Sequence, residues 1–280
     1  MRTFVSAIAV MVGLLLAAAA VPAMWVDQNI LQEDGFVRLA SPLGKDPEFQ
    51  RRLASAAVAS FNPAGQIPDF MAEGMAPVLE AAAGSLTGLP GYPAAWEETL
   101  RKSHRLSFAD PGSLPPEAAA STSLTLDVAP LLGLLTRQLS ETTGVPFSAP
   151  DETLISIGQS GHRELIANLS AYAPMGYALA VGSGLAFVLA LVAARRRWVI
   201  LLVAGVGGLF LAALWKLGSD FASAAVSAMP SGNSVAEVFQ QELVNATAAS
   251  FGQWINTSFW AGGFLLLAGI VLTIFQGRRA

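Results

Sequence analysis

Two pairs of side chains in this chain are spaced closely enough to suggest hydrolytic chemistry. Ser160 and His162 have the types of a nucleophile and its base, and Glu97 and Glu98 are adjacent acids suited to general acid and base roles. At the start of a helix, the side chains of residues two apart point in different directions, and no Gly-x-Ser-x-Gly turn surrounds Ser160. Ser160 is therefore better suited to be the N-cap of a helix. Adjacent helical acids diverge by about 100° and are typical of a solvated face. Neither pair predicts a catalytic site.

A third candidate is the stripe formed by Trp96, Leu100 and His104. These residues stand at i, i+4 and i+8 in a helix predicted from Ala94 to about Leu106, so they share one face. A single histidine beside a tryptophan, without an acid or nucleophile at fixed spacing, is more typical of a packed core than of catalysis. We predict that the stripe is core, and that an apolar cavity beneath it would indicate a ligand.

The composition excludes several kinds of site. The chain has no cysteine and two histidines, so thiol catalysis, thiolate metal sites and a three-histidine zinc site are excluded. No catalytic, cofactor-binding or metal-ligating residue is predicted, and no cofactor. Without disulfides, any soluble domain must be held together by apolar burial.

Four uninterrupted apolar stretches determine where these residues are placed. Each is close to the roughly 20 residues needed to cross a bilayer. The predicted transmembrane helices are residues 1–26, 175–194, 198–215 and 259–276. Aromatic residues stand near the ends of these stretches, where such rings favour the headgroup layer; they are Trp25, Tyr177, Trp198, Trp215 and Trp260. The first stretch also resembles a cleavable signal peptide because small residues surround Pro22, although its length favours a retained anchor.

The charges are divided unequally between the connecting segments. All twenty Asp and Glu residues fall within residues 27–174 and 216–258, whereas residues 195–197 are three arginines and residues 277–280 include two. Short arginine-rich loops stay cytoplasmic, while long acidic segments are exported readily. We therefore predict a multi-pass cell-membrane protein with both termini cytoplasmic and the main domain extracytoplasmic. That domain has seventeen acids and nine Lys or Arg, a formal charge of −8, which disfavours nucleic acid as a partner.

The predicted fold is mainly α, with four transmembrane helices and a helical extracytoplasmic domain. Asp46 and Pro47 mark the N-terminus of one helix, which ends near Asn62, and a second helix is predicted from Pro68 to about Ala82.

A small two-stranded βαβ unit is also predicted in this domain. Period-two alternation indicates strands at residues 121–128 and 153–157. Asp127 is placed to cap the helix between them, and Gly144 to stop it. A strand, helix and strand in so few residues predict a right-handed crossover with parallel strands.

The second acidic segment is predicted to hold a short helix from Asp220 to Met229 and an amphipathic helix from Ser234. The apolar face of the latter is expected to pack on the larger domain or to lie along the membrane surface. The arginine triplet predicts a tight hairpin of spans two and three. Small residues are expected to let the spans approach closely, as in membrane helix packing. These residues are Gly176, Gly182, Gly184, Ala204, Gly205, Gly207 and Gly208, with Gly262, Gly263 and Gly269 in the fourth span.

Several short motifs resemble those of a widespread group of actinobacterial multi-pass membrane proteins. The motifs are Trp25-Val26-Asp27-Gln28-Asn29-Ile30-Leu31, Ser41-Pro42-Leu43, Gly91-Tyr92-Pro93 and Leu126-Asp127-Val128-Ala129-Pro130-Leu131. The resemblance covers most of residues 1–200. It implies a large extracytoplasmic domain after the first span and no established activity, and it supplies no catalytic residue. The region after Lys216 departs from the commoner arrangement in the group.

The sequence as a whole favours a non-enzymatic envelope protein whose acidic domain serves protein–protein interaction or scaffolding. The expected partners are the lipid bilayer and either another envelope protein or a second copy of the chain. The alternatives are an accessory subunit of a transporter or channel, an extracytoplasmic ligand sensor, and an enzyme. A pore is disfavoured because the spans carry no charge in their interiors.

Overall fold

The structure is a computed structural model that describes residues 2–60, 85, 88–108, 125–144, 146, 148, 151–156, 168–229 and 234–277. The described chain is mainly helical, with one small sheet. Its helices are α1 (Arg2–Val26), α2 (Glu33–Ala40), α3 (Pro47–Ser60), α4 (Tyr92–Phe108), α5 (Ala129–Thr143), α6 (Met175–Ala193), α7 (Arg197–Ser227) and α8 (Ser234–Gly277). A π-helical turn (Asp27–Leu31) follows α1, and a 3-10 turn (Ser41–Lys45) follows α2. The strands are β1 (Thr125–Asp127) and β2 (Leu154–Ser156).

The chain folds into two compact units. The first unit comprises Met1–Gln28, Leu169–Ala225 and Thr247–Ala280. The second unit comprises Asn29–Asn168 and Val226–Ala246. Each unit is therefore built from segments that are distant in the sequence.

Four helices contribute the apolar stretches, and each is long and apolar enough to cross a membrane. Within the first unit, α1 and α6 run antiparallel. Ser6 Oγ near the start of α1 donates to Ala190 O near the end of α6 at 3.2 Å. Further along, Ser183 Oγ donates to Gly13 O at 2.8 Å. Large apolar side chains remain on the outside, such as Phe264 with 72 % of its surface exposed. That surface is typical of helices solvated by lipid.

The glycines of α6 and α7 have different partners from those predicted, whereas Gly262 and Gly269 of the fourth span approach a neighbouring helix closely, as expected. A Cβ on Gly205 would lie 2.5 Å from Leu266 N in α8, and one on Gly176 would lie 2.8 Å from Met24 N in α1. Close approach therefore joins α7 to α8 and α1 to α6, and these glycines do not serve the hairpin of α6 and α7 to which the sequence assigned them. Gly184 and Gly263 have no atom within 4 Å of such a Cβ. The positions of the glycines within a span therefore did not reveal which neighbouring helix they contact.

Two of the four tryptophans expected at the headgroup layer are buried within the first unit. Trp25 Nε1 donates to Ser250 Oγ at 3.2 Å, and Trp215 Nε1 donates to Ala18 O at 3.1 Å. Both rings are buried, since an indole with a partner for its N–H packs well between helices. Trp260 is 70 % exposed, as an outward-facing ring requires.

The two C-terminal helices are longer than predicted. The sequence placed a separate helix at Asp220 to Met229, but α7 continues without a break to Ser227. The amphipathic helix from Ser234 and the fourth apolar stretch likewise form the single helix α8 of 44 residues. Neither junction contains proline, and single glycines such as Gly218 and Gly252 are tolerated within a helix at a cost of about 1 kcal/mol each.

The core of the second unit is assembled from α2, the 3-10 turn, α3, α4, α5 and the start of α8. Its buried residues are Val37, Ala40, Leu43, Phe49, Tyr92, Ala95, Trp96, Leu100, Leu131 and Phe239. Phe239 comes from the second acidic segment and meets Trp96 edge-on, with ring centroids 6.4 Å apart. Of the two placements expected for the amphipathic helix, the structure therefore selects packing on the larger domain.

The predicted parallel βαβ unit is wrong, because β1 and β2 pair antiparallel. Their register places Asp127, the last residue of β1, opposite Leu154, the first residue of β2. Asp127 Oδ1 accepts hydrogen bonds from Ala129 N and Thr153 N, each at 3.0 Å. One carboxylate therefore caps α5, as predicted, and also holds the returning chain beside the end of β1. That bridge requires opposite strand directions.

Other local predictions are confirmed. Asp46 Oδ1 accepts from Glu48 N at 2.8 Å and Phe49 N at 3.2 Å, which caps α3. Gly144 ends α5 in the left-handed region with φ of 71°. The helix predicted at residues 68–82, Ser160 and His162, and the C-terminal arginines lie outside the described residues.

Candidate functional site

A charged open groove lies on the second unit between α2, the 3-10 turn and α4. Its volume is about 560 Å³. The lining residues are Asp34, Val37, Arg38, Ser41, Pro42, Lys45, Glu97 and Arg101. Five of these eight side chains are ionisable, so the groove differs from the apolar pockets that usually hold small ligands.

The 3-10 turn that carries Lys45 is fixed against α4 by close packing at Gly44. A Cβ on Gly44 would lie 2.3 Å from Trp96 Cδ1, so only glycine allows the ring to come this close to the turn. Trp96 Nε1 also donates to Ala40 O at 3.2 Å. The buried indole therefore sets the distance between the two walls of the groove.

The other wall is fixed by ion pairs between α2 and α4. Arg101 Nη1 donates to Asp34 Oδ1 at 2.9 Å and to Glu33 Oε1 at 3.2 Å, and Arg105 Nε lies 3.2 Å from Glu33 Oε2. The hydrogen bonds to Asp34 and Glu33 raise the pKa of the Arg101 guanidinium above its ordinary value. Asp34 is thus neutralised within the protein.

Two cations of the groove are left without such compensation. Arg38 and Lys45 are both exposed, and within the described residues neither forms a hydrogen bond or ion pair. Glu97 is likewise exposed and without a partner in that part of the chain. The lining therefore presents three cations and two carboxylates on a unit whose main segment is acidic.

The Trp96 stripe is core, as predicted. Trp96 is 1 % exposed, Leu100 is fully buried and His104 is 6 % exposed. Phe49 and Phe239 pack edge-on against the Trp96 ring, with centroids at 5.8 and 6.4 Å. The face that the sequence singled out for a possible cavity is therefore occupied by aromatic side chains.

His104 is held as a structural imidazole. Its Nε2 donates to Ile30 O at 3.0 Å, and its ring stacks on Phe108 with centroids 4.2 Å apart. Burial lowers the pKa of the ring below its ordinary value, although the bond to Ile30 and the nearby Glu33 oppose that shift. A neutral histidine between aromatic rings has the character of a core residue.

Glu97 and Glu98 have different surroundings. Glu97 lines the groove, while Glu98 Oε1 lies 3.9 Å from Arg105 Nη2 on its own helix. Within the described part of the chain, no three His, Asp or Glu side chains are arranged to hold a metal ion.

The sequence did not predict that serines of α4 cover the outer edge of β1. Ser103 Oγ accepts from Asp127 N at 2.9 Å, and Ser107 Oγ exchanges bonds of 3.4 Å with the backbone N and O of Thr125. These serines stand four apart on α4, so they share the face that meets the strand. The spacing of four residues between these serines was visible in the sequence. It indicates a contact with β1 only once the strand is known to lie beside α4.

The sequence also missed the groove residues on α2. An acid and a base at i and i+4, Asp34 and Arg38, are typical of an exposed helix, and Glu33 adds an acid in the first turn. Those signals would have indicated α2, although not its position beside α4.

No family model, curated protein or solved structure matches this chain. Its function is therefore inferred from its own sequence and geometry.

Proposed function

We propose that this chain is a non-enzymatic, multi-pass protein of the cell envelope. In this proposal, residues 29–168 and 226–246 form an acidic domain outside the cytoplasm that binds another envelope protein or a second copy of the chain. The resemblance to the actinobacterial membrane group is consistent with that role and remains a prediction.

The observation that carries the proposal is the shared core of the second unit. Phe239 from the second acidic segment packs on Trp96 from the first, which supports placing both segments on the same side of a membrane. The chain between these segments contains α6 and α7, which are both long and apolar enough to cross. Two crossings return the chain to its starting side, as the positive-inside pattern requires.

The arrangement of the first unit supports the same topology. Ser6 bonds to Ala190, and Val10 shares a buried cluster with Ile200, so Arg2 and the triplet Arg195 to Arg197 belong to one end of this unit. Gly13 O also accepts a hydrogen bond from Ser183 Oγ, so α1 is an integral part of the helix packing. That role favours a retained anchor over a cleaved signal.

The interaction role is supported by how the buried ionisable groups are used. His104 bonds to a backbone carbonyl, and Asp127 caps a helix and bridges two strands. The Trp96 face is filled by Phe49 and Phe239. The exposed charges are then the groups left to make contact with a partner.

Single cysteines test the topology, because the native chain has none. Cysteines at Arg137 and Arg196 should react oppositely with a membrane-impermeant maleimide in intact cells. Labelling at position 137 and protection at position 196 is the expected result, while the reverse pattern would eliminate the proposed orientation.

Photo-crosslinking tests the interaction role in the same cells. Unnatural photo-reactive residues at exposed sites of the second unit should give one reproducible crosslinked species at native expression levels. A protein that yields no crosslinked species from any exposed face of that unit would lack the proposed role.

A further inference from the structure

The lining of the groove has more cations than carboxylates, whereas the sequence segment that supplies it has an excess of acids. Residues 27–174 contain seventeen acids and nine Lys or Arg, yet the groove lining has three cations and two carboxylates. A positive region on an acidic surface attracts anions at one place and repels them elsewhere, which favours a defined docking position.

The internal ion pairs decide which charges are available to a ligand. Asp34 is bound by Arg101, and that pair fixes α2 to α4. Arg38 and Lys45 come from two different elements, and in the described residues no acid neutralises them. These two cations are therefore the groups that an incoming anion would meet.

The shape of the groove favours an extended ligand with several separate charges. About 560 Å³ is more than one phosphate or carboxylate needs, and Val37 and Pro42 supply apolar contact within the lining. The carboxylate of Glu97 would repel a compact divalent phosphate more strongly than single carboxylates spaced along a chain. A peptide with acidic side chains can place each carboxylate beside a cation and its backbone over the apolar residues.

We propose that this groove binds an acidic peptide segment of a partner protein, with Arg38 and Lys45 contacting its carboxylates. This inference rests on the proposed function and names the surface and the partner chemistry that serve it.

Peptide binding to the full-length protein in detergent tests the groove directly. A fluorescent hexaglutamate peptide should bind at about 50 mM salt and lose affinity as salt rises, whereas hexaglutamine should not bind. Replacing both cations (Arg38→Ala with Lys45→Ala) should weaken hexaglutamate binding roughly tenfold, and Glu97→Gln should strengthen it roughly threefold.

The matched control is Arg51→Ala with Arg137→Ala, which removes the same net charge from exposed sites outside the groove. This control should weaken binding less than about twofold, since those charges act only at long range. Equal weakening by both double variants would refute peptide binding at the groove. Competition by inorganic phosphate at concentrations comparable with the peptide would refute it as well. The Arg38→Ala, Lys45→Ala variant should keep the native unfolding midpoint, because both side chains are exposed and unpaired within the described structure.

Crosslinking separates failure of the groove from failure of the proposed function. A photo-reactive residue at Ser41, which lines the groove, is compared with one at Arg137, which does not. Capture from position 41 that disappears in the Arg38→Ala, Lys45→Ala background supports the groove. Capture from position 137 alone overturns the groove and leaves the interaction role standing. Capture from neither position counts against both.

Discussion

Replacing Phe239 with alanine tests whether the second acidic segment belongs to the core of the larger domain. Phe239 is 2 % exposed and contacts Trp96 edge-on. An aromatic side chain buries about 150–250 Å², and at about 25 cal/mol per Å² its complete removal from the core would cost about 4–6 kcal/mol. Alanine retains part of that area, so we expect a loss of about 3–5 kcal/mol in the free energy of unfolding of this unit.

The same helix supplies a matched control. Phe264 also lies in α8, but it is 72 % exposed and faces outward from the first unit. In detergent its ring stays in an apolar medium in both states, and alanine is a better helix former by up to about 0.7 kcal/mol. Phe264→Ala should therefore change stability by less than about 1 kcal/mol, in either direction.

A buried thiol gives a readout that belongs to this unit alone. The chain has no cysteine, and Ala95 is 9 % exposed in the same core as Phe239, so Ala95→Cys introduces a single protected thiol. Its maleimide labelling rate reports the opening equilibrium when closing is fast. A loss of about 4 kcal/mol corresponds to labelling that is about 10³-fold faster, because 1.4 kcal/mol is a factor of ten. If Phe239→Ala accelerates labelling no more than Phe264→Ala does, the shared core is wrong, and with it the main support for the topology.

Three further changes test other contacts. Gly44→Ala should destabilise the second unit by about 1–3 kcal/mol, measured by the same labelling rate, because its Cβ would lie 2.3 Å from Trp96 Cδ1; native labelling would refute the contact. His104→Gln should flatten the fall in stability below about pH 6.5. The native imidazole has a lowered pKa, so His104 takes up a proton at a higher pH in the unfolded chain than in the folded one. Its contribution to stability is therefore complete above the pKa of the unfolded chain and is lost as the pH falls, which unfolding midpoints from pH 8 to 5.5 would show. Gly205→Ala should lower the unfolding midpoint in detergent, since its Cβ would meet the α8 backbone at 2.5 Å, whereas Gly263→Ala, with open space, should not; equal midpoints would contradict that packing.

Local signals in the sequence were sufficient for most helices. An acid before proline, as at Asp46, satisfies the first N–H groups of α3, and a left-handed glycine stops α5 at Gly144. These effects act within one helical turn, so they are independent of the rest of the fold. The Trp96 stripe was predictable for the same reason, because periodicity reports which face of a helix is apolar.

Pairing between elements could not be read in this way. The strand pattern gave the position of β1 and β2 but not their direction, which depends on Asp127 binding both Ala129 and Thr153. The groove likewise requires Gly44 to accept the Trp96 ring from another helix. Such contacts join residues that are far apart in the chain, and no periodicity encodes the partner.

The shared core also explains how a domain without disulfides is completed. Trp96 packs against Phe49, which is synthesised before it, and against Phe239, which is synthesised only after α6 and α7. In the proposed topology, Phe239 reaches Trp96 only if these two helices insert as a hairpin and return the chain to the domain. A wrongly oriented hairpin would leave Phe239 on the other side and Trp96 partly exposed, at a cost of several kcal/mol. In that topology, stable folding of the second unit depends on correct insertion of the first, since a domain's net stability is about 5–15 kcal/mol.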